Sequence, residues 1–325
     1  MIKKLLLLCS GGDAPGMNAV IRAAVRTALY HHVTVFGAES GYCGLLNQKI
    51  FPLTGASVAN CIMRGGTILK TGRCLDFHKK PIRDQCREFL RQQKIDALIV
   101  LGGNGSFAGA SLIEKEGGPR VIGIPCTIDN DINGTEYCIG FDTARNTALS
   151  AIDKIRDTAF SLDRNFIIEI MGRESGFLAV DVGIAGGAEI ILIPEFPTST
   201  EQLIKKIQSK RRQKLGSLIV AAEAGEPNSS IRIAKDIKAR TDIEYKTCIL
   251  GHIQRGGTPT VMDRKLGSEM GAQAVAALLN DQSQCLTAVK AGKITLVPFS
   301  DPQNATRFFN DDMLLQLNEI ICESK

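Results

Sequence analysis

Runs of five to eight aliphatic residues, apolar at consecutive positions and followed by glycine-rich turns, recur along almost the whole chain, at 2–9, 33–38, 95–101, 120–124, 166–171, 189–193, 217–222 and 245–250. A strand with one wet face alternates polar and apolar residues. Continuous apolar runs instead read as strands covered on both faces, as in a parallel sheet. Segments of helical period separate them, near 16–30, 55–64, 80–94, 106–117, 143–159, 175–186, 200–213, 230–240 and 262–280, with Pro81 and Thr143 placed where helices start. This alternation predicts the α/β class. Eight strands suffice for a closed barrel, but the crossovers are unequal and the glycine turns cluster after particular strands. Two doubly wound, mostly parallel sheets fit better, with ligand bound at the strand carboxyl ends in the cleft between two domains.

Composition narrows the partners. Among 325 residues, Lys plus Arg number 39 against 34 Asp plus Glu, a net charge of +5, and no basic run exceeds Lys210 to Arg212. Nucleic-acid binders carry a basic stripe with interleaved aromatics, so the balance suits small anions instead. Ten scattered cysteines without a C-x-x-C pair read as reduced thiols of a cytoplasmic protein. No apolar stretch approaches the roughly 20 residues of a membrane span.

Two turns are suited to phosphate. The first strand runs into Ser10-Gly11-Gly12-Asp13-Ala14-Pro15-Gly16, and the third into Gly102-Gly103-Asn104-Gly105-Ser106, each ahead of a helix. Glycine admits a ligand close to the backbone, and a helix N-terminus supplies amide donors with partial positive charge. One such turn could be tight βα turning alone; two on one sheet favour phosphate. A Walker A motif is absent, since Lys70-Thr71 follows Leu69, and Gly103-x-Gly105-x-x-Ala108 matches a dinucleotide fingerprint only loosely. Further along, Asp129 and Asp131 close the strand at 120–124. One carboxylate there can accept a proton while the other holds a metal, although a capping loop uses the same residues. Arg64, Arg73, Arg173 and Arg255 all lie in glycine-flanked turns, where a guanidinium can clamp phosphate oxygens.

Taken in order, Ser-Gly-Gly-Asp-Ala-Pro-Gly-Met-Asn, Arg64-Gly-Gly-Thr67, Gly-Gly-x-Gly-Ser, Pro-x-Thr-Ile-Asp-Asn-Asp, Met-Gly-Arg and Leu-Gly-His-Ile-Gln-Arg-Gly-Gly resemble the bacterial-type 6-phosphofructokinases from residue 1 to about 280. Lipid and NAD kinases share the Gly-Gly-x-Gly-Ser/Thr turn but not the last motif. The resemblance implies transfer of phosphate from ATP, with Mg²⁺, to fructose 6-phosphate, usually in a homotetramer with shared active sites. It implies a nucleotide domain of 1–140 with about 256–304 returning, and a sugar-phosphate domain of 141–255 with about 305–325.

By the same resemblance Gly12, Arg73, Gly103, Asn104, Gly105 and Ser106 line the ATP site, and Asn104 and Asp131 attend the metal. Asp129 is the base, with Thr127 and Arg173 on the moving phosphoryl group. Met171, Gly172, Glu223, His252 and Arg255 hold the sugar phosphate, with Arg164 and Lys246 supplied by a neighbouring subunit. Arg22, Arg26, Arg156, Glu189, Arg212 and Lys214 match a regulatory site. Four positions depart from the family pattern: Asn104 stands for Asp, Lys246 for Arg, Cys126 for Gly, and Gly55 for a regulatory Arg. Gly105 and the short Cys126 leave room for a nucleotide, favouring ATP over pyrophosphate as donor. Asn104 and Lys246 together motivate the alternative of a sugar-phosphate or nucleotide sensor impaired in turnover.

Overall fold

The computed structural model describes residues 2–210, 216–223, 225, 228–299 and 305–322. Its chain divides into two units, one of residues 1–128, 132–143 and 255–307, the other of 129–131, 144–254 and 308–325.

The first unit is built on β1 (Lys4–Cys9), β2 (Thr34–Ala38), β3 (Ile50–Leu53), β4 (Ala97–Gly102), β5 (Arg120–Pro125), β10 (Cys285–Lys290) and β11 (Lys293–Pro298). They form a seven-stranded sheet in the order β11-β10-β5-β4-β1-β2-β3. Its five central strands run parallel, while β3 and β11 pair antiparallel at the two edges. The apolar run Leu5 to Leu8 is buried throughout, and the same unit holds α1 (Met17–Tyr30), α2 (Gly41–Leu46), α3 (Lys80–Gln92), α4 (Asn104–Lys115) and α9 (Val261–Leu279). Leu6, Leu8, Leu98 and Val100 pack with Tyr42, Phe77, Phe89 and Leu90 in one core cluster. Glycine sets how closely α1 and α9 approach: a Cβ on Gly271 would stand 2.6 Å from the Val20 carbonyl oxygen.

The second unit carries β6 (Asn165–Ile170), β7 (Ile190–Leu192), β8 (Leu218–Ala222) and β9 (Tyr245–Ile249) in the order β7-β8-β6-β9, all parallel. With them go α6 (Phe177–Ala185), α7 (Thr200–Lys210), α8 (Ser229–Thr241), α10 (Asp312–Cys322) and α5 (Phe141–Leu162), whose first three residues belong to the first unit. Ile167, Ile219, Ile237, Ile243 and Tyr245 form its core. A buried carboxylate organises α8: Glu169 on β6 accepts from the Asn228 and Ser230 amides at 2.8 and 3.0 Å and from the Ser230 hydroxyl at 2.6 Å. It caps a helix whose first turn holds no acidic residue of its own.

The α/β class and all eight strands expected from the sequence are present, and eight of the nine helices. The exception is 55–64, which forms turns. There Thr54 and Ser57 bond to each other's backbone amides and Asn60 sits at φ +51°, so local side-chain bonds and a left-handed residue displace the helix. The strands β3, β10 and β11 and the helices α2 and α10 were not expected.

Candidate active site

In the first sheet, the chain leaves β1 towards β2 on one side and β4 extends the other, so the β1 and β4 carboxyl ends flank the point where the winding reverses. Both glycine turns lie there. Gly11 and Gly16 adopt φ of +92° and +103°, and α1 begins at Met17. The 67–73 segment is tied to this turn: the Gly11 amide donates to the Gly72 carbonyl at 3.2 Å, and the Thr71 hydroxyl to the Gly11 carbonyl at 3.0 Å. The second turn opens α4 with Gly103 as its uncapped N-terminal residue. A Cβ on Gly105 would meet nothing within 4 Å, so there is open space beside the first turn of α4, where a helix N-terminus can receive an anion. Ser106 is buried, its hydroxyl donating to the Ser10 carbonyl at 3.0 Å and its own carbonyl accepting from Tyr42 at 2.7 Å. The two turns are thereby locked to each other.

Arg73 is exposed beside this pair of turns. Arg255, expected at the sugar phosphate, extends to the first turn, where Nη1 donates to the Asp13 carbonyl at 3.3 Å and a side chain on Gly12 would collide with the guanidinium. Asn104 points its amide to the Thr306 hydroxyl at 3.4 Å. Thr127 is half-buried just beyond β5. Cys126 is 1% exposed, and burial raises its thiol well above the usual range, helped by the charges of Cys9, Cys138 and Asp263.

In the second unit the carboxyl ends of β6, β8 and β9 supply Met171 to Arg173, Glu223 and the 251–254 turn. The Arg173 amide donates to Glu223 Oε1 at 3.0 Å, and the Met171 amide to Gln254 Oε1 at 3.0 Å. Gly172 at φ +155° and Arg173 at φ +59° make a tight turn closed by the Ser175 amide on the Gly172 carbonyl at 2.9 Å. Asp129 is buried, and the Ser175 hydroxyl donates to its carbonyl at 3.1 Å. Asp131 has its pKa pushed up to about 6, by burial first and then by the Asp129 charge, while Arg173 pulls the other way. The pair and the guanidinium therefore sense one another, which suits a base beside a group that neutralises a phosphoryl charge.

A Mg²⁺ ion fits this donor set. It takes hard oxygen ligands, commonly one or two carboxylates with phosphate and water completing the shell. Burial combined with a second carboxylate has raised the Asp131 pKa, a condition that a cation relieves. Among the described residues no group of three or more His, Cys, Asp and Glu side chains could enclose a metal, so substrate and water would supply the remaining ligands.

His252 is exposed on the 251–255 turn. Arg164 and Lys246 are also exposed, and both lie at the opening of their strands, Arg164 one residue before β6 and Lys246 opposite Phe166 in the register. Six strand residues lie between Arg164 and Met171, and four between Met171 and Phe166, the partner of Lys246, roughly 23 and 17 Å at about 3.3 Å per residue. Among the regulatory candidates, Arg22 and Arg26 lie on α1, where their charges reach Cys61. Arg156 Nη2 donates to the Gly186 and Gly187 carbonyls at 2.6 Å each, and Glu189 stands 3.9 Å from its guanidinium. Arg212 and Lys214 lie outside the described residues. A Cβ on Gly55 would meet nothing within 4 Å.

Several supporting residues were not singled out from the sequence. Tyr42, Ser175 and Gln254 each hold a site segment, and the buried Gln254 Nε2 has no hydrogen-bond partner among the described residues. Asp263 accepts the Gly140 and Thr143 amides, each at 2.8 Å. Serine, glutamine and tyrosine in such numbers carry no signal without a spatial neighbour. The spacing of Gln254 within the Gly-His-Ile-Gln-Arg turn was the one clue available.

Residues 4–278 match the model of the phosphofructokinase family, and the chain belongs to that family. It is 62% identical over 321 residues to the ATP-dependent 6-phosphofructokinase of Coxiella burnetii, covering 99% of this chain and 98% of the relative. Against the ATP-dependent 6-phosphofructokinase 1 of Clostridium perfringens the identity is 45%, covering 98% and 99%. Among solved structures, the phosphofructokinase of Saccharomyces cerevisiae superposes with a TM-score of 0.84 at 32% identity, covering 98% of this chain. The chain spans 46% of that longer yeast chain.

Proposed function

We propose that this protein is an ATP-dependent 6-phosphofructokinase, transferring the terminal phosphoryl group of ATP to the 1-hydroxyl of fructose 6-phosphate in cytoplasmic glycolysis. The observation that carries the reading is the 62% identity, over nearly the whole of both chains, to a relative of that name. The geometry of the two units supports it.

The turns at β1 and β4 receive the nucleotide phosphates on backbone amides, with Gly12, Gly103, Gly105 and Arg73 bordering them. Glu223 and His252, with the Met171–Gly172 backbone, hold the sugar phosphate. Asp129 takes the proton of the attacking hydroxyl, and Thr127 and Arg173 meet the charge on the phosphoryl group in flight. Phosphoryl transfer needs chiefly positioning and neutralisation of charge, and this residue set offers both. Mg²⁺, held through Asp131, would add charge neutralisation on the donor phosphates.

Arg164 and Lys246 lie too far along their strands from Met171 to serve the same chain's sugar-phosphate residues. Their placement favours an oligomer in which each chain lends them to its neighbour, and a homotetramer fits the family. Formation of fructose 1,6-bisphosphate, followed by a coupled assay with ATP and separately with pyrophosphate, tests the reading. Turnover with ATP is expected; turnover with pyrophosphate alone, or binding of fructose 6-phosphate with no turnover on either donor, would overturn it.

A further inference from the structure

Of the ten thiols, most are buried, and three are partly exposed: Cys43, Cys74 and Cys248. Two of the three meet. Cys43, on α2, points its sulfur to the Arg73 carbonyl at 3.5 Å, and that carbonyl is bonded to the nitrogen of the next residue, Cys74, so the two cysteines are near neighbours across the two segments. The elements that carry them are clamped together, because Tyr42 stacks on Phe77 with ring centroids 4.0 Å apart and planes 16° from parallel. Cys74 opens the short turn that contains Phe77, and the Phe77 amide donates to the Cys74 carbonyl at 3.1 Å. The two cysteines are therefore held close together on two braced segments, both partly exposed.

We propose that Cys43 and Cys74 form a peroxide-responsive dithiol that closes to a disulfide and weakens nucleotide binding. The second half of this statement rests on the reading of Arg73 and the adjoining turns as the nucleotide site. In the first step the Cys43 thiolate attacks a hydroperoxide. A sulfur–oxygen bond forms and the oxygen–oxygen bond breaks, the leaving oxygen takes up a proton, and Cys43 becomes a sulfenic acid. In the second step the Cys74 sulfur attacks the Cys43 sulfur. The sulfur–sulfur bond forms, the sulfur–oxygen bond breaks, and the hydroxide leaves as water with the proton from Cys74. Two thiols lose two electrons and the peroxide gains them; a dithiol reductant reverses the change.

The order of attack follows from the environment. Burial, with the neighbouring Cys43 next, pushes the Cys74 thiol up to about 12, so Cys74 is the slower of the two to meet the oxidant as a thiolate and gives up its proton only in the resolving step, to the departing oxygen. The buried Cys9, Cys86 and Cys285 are likewise raised, chiefly by burial, and do not compete for an oxidant.

The link to the nucleotide site is short. Drawing Cys74 onto Cys43 displaces the Arg73 carbonyl from the Cys43 thiol, and Arg73 continues from Gly72, which accepts the Gly11 amide of the first phosphate turn. Tyr42, next to Cys43, donates to the carbonyl of Ser106 in the second. Both turns are thus tied to the segments that the disulfide would draw together.

The test uses the full chain, reduced and then exposed to hydrogen peroxide. Peptide mapping after alkylation reads the Cys43–Cys74 crosslink and needs no activity, so it stands whether or not the proposed function does. ATP binding by calorimetry and the KM for ATP read the consequence. The expected result is a crosslink, with ATP affinity reduced about tenfold, the worth of one charge-assisted hydrogen bond, and recovery with dithiothreitol. Cys43→Ser and Cys74→Ser should each retain basal activity while losing both the crosslink and the peroxide effect. Oxidation of other cysteines ahead of this pair overturns the proposal, as does a crosslink that leaves ATP binding unchanged or a Cys43→Ser protein that stays equally sensitive.

Discussion

Replacing Gly271 with alanine sets two opposed effects against each other. Alanine in a helix interior is favoured over glycine by about 1 kcal/mol. Against that, a Cβ at 271 would lie 2.6 Å from the Val20 carbonyl oxygen, 3.1 Å from the Ala23 Cβ and 3.2 Å from the Ala24 nitrogen. Two of these atoms are backbone and cannot rotate away, so α9 must retreat from α1. Overpacking of this kind costs about 1 to 3 kcal/mol, and a rigid neighbour places the cost near the upper end. The net loss should be about 1 to 2 kcal/mol. Gly267 supplies the control: its Cβ would stand 3.1 Å from the Gly16 oxygen and 3.2 Å from the Ala19 Cβ, a milder crowding that the helix-propensity gain about offsets. Urea unfolding should therefore rank wild type and Gly267→Ala together, with Gly271→Ala below, at similar m-values. Because α1 begins one residue after Gly16 of the first phosphate turn, the KM for ATP should rise in Gly271→Ala. If Gly271→Ala matches or exceeds the wild-type midpoint, or if Gly267→Ala is the weaker of the two, the packing argument is wrong.

Four further outcomes are expected. Asp129→Asn should lower kcat by about 10² to 10⁴ while calorimetric binding of fructose 6-phosphate is retained; near-native turnover would remove Asp129 from the mechanism. Glu169→Gln should destabilise the protein by roughly 2 to 4 kcal/mol, since it puts an amide donor in place of one of the two oxygens that accept three hydrogen bonds at the start of α8, and a loss below about 0.5 kcal/mol in urea would contradict that role. Asp131 has a pKa raised above the ordinary carboxylate range to about 6, so its charged form is present above that pH and lost below it. The Mg²⁺ concentration for half-maximal rate should consequently climb as pH falls through about 6, and Asp131→Asn should flatten the trend, whereas an unchanged requirement between about pH 7.5 and 5.5 would detach Asp131 from the metal. Mixing Arg164→Ala chains with Asp129→Asn chains should restore activity in hybrid oligomers, and hybrids that form yet stay inactive would show that each site is built from one chain.

The strands were legible because burial on both faces writes itself as unbroken aliphatic sequence, as at Leu5 to Leu8. β3 escaped because Ile50 to Leu53 is a four-residue edge strand containing Pro52. β10 and β11 escaped for another reason: β10 joins the sheet through β5, more than 150 residues earlier, and no local pattern encodes such a partner. The two glycine turns and the Asp129–Asp131 segment were readable as motifs. The residues that hold them were not, since Ser175, Tyr42 and Asp263 act through neighbours brought close only by the fold. Arg255 shows the limit of motif reading, for its place in the sequence could not say that its guanidinium would extend to the Asp13 carbonyl.

The first unit is interrupted by the second and resumes at residue 255, which has a consequence during synthesis. A ribosome adding about 5 to 20 residues per second releases β5 well before β10 and β11 exist, leaving the β5 edge and the helix-facing side of α1 without partners for roughly 8 to 30 seconds. The inserted four-stranded sheet, by contrast, lies within residues 165–249 and can form as soon as it emerges. The later-made unit should thus be native first, while the earlier-made one waits with a growing edge open to other nascent chains. A fragment ending at residue 143 should aggregate on expression, and slower translation through 144–254 should lower the soluble yield of the whole chain.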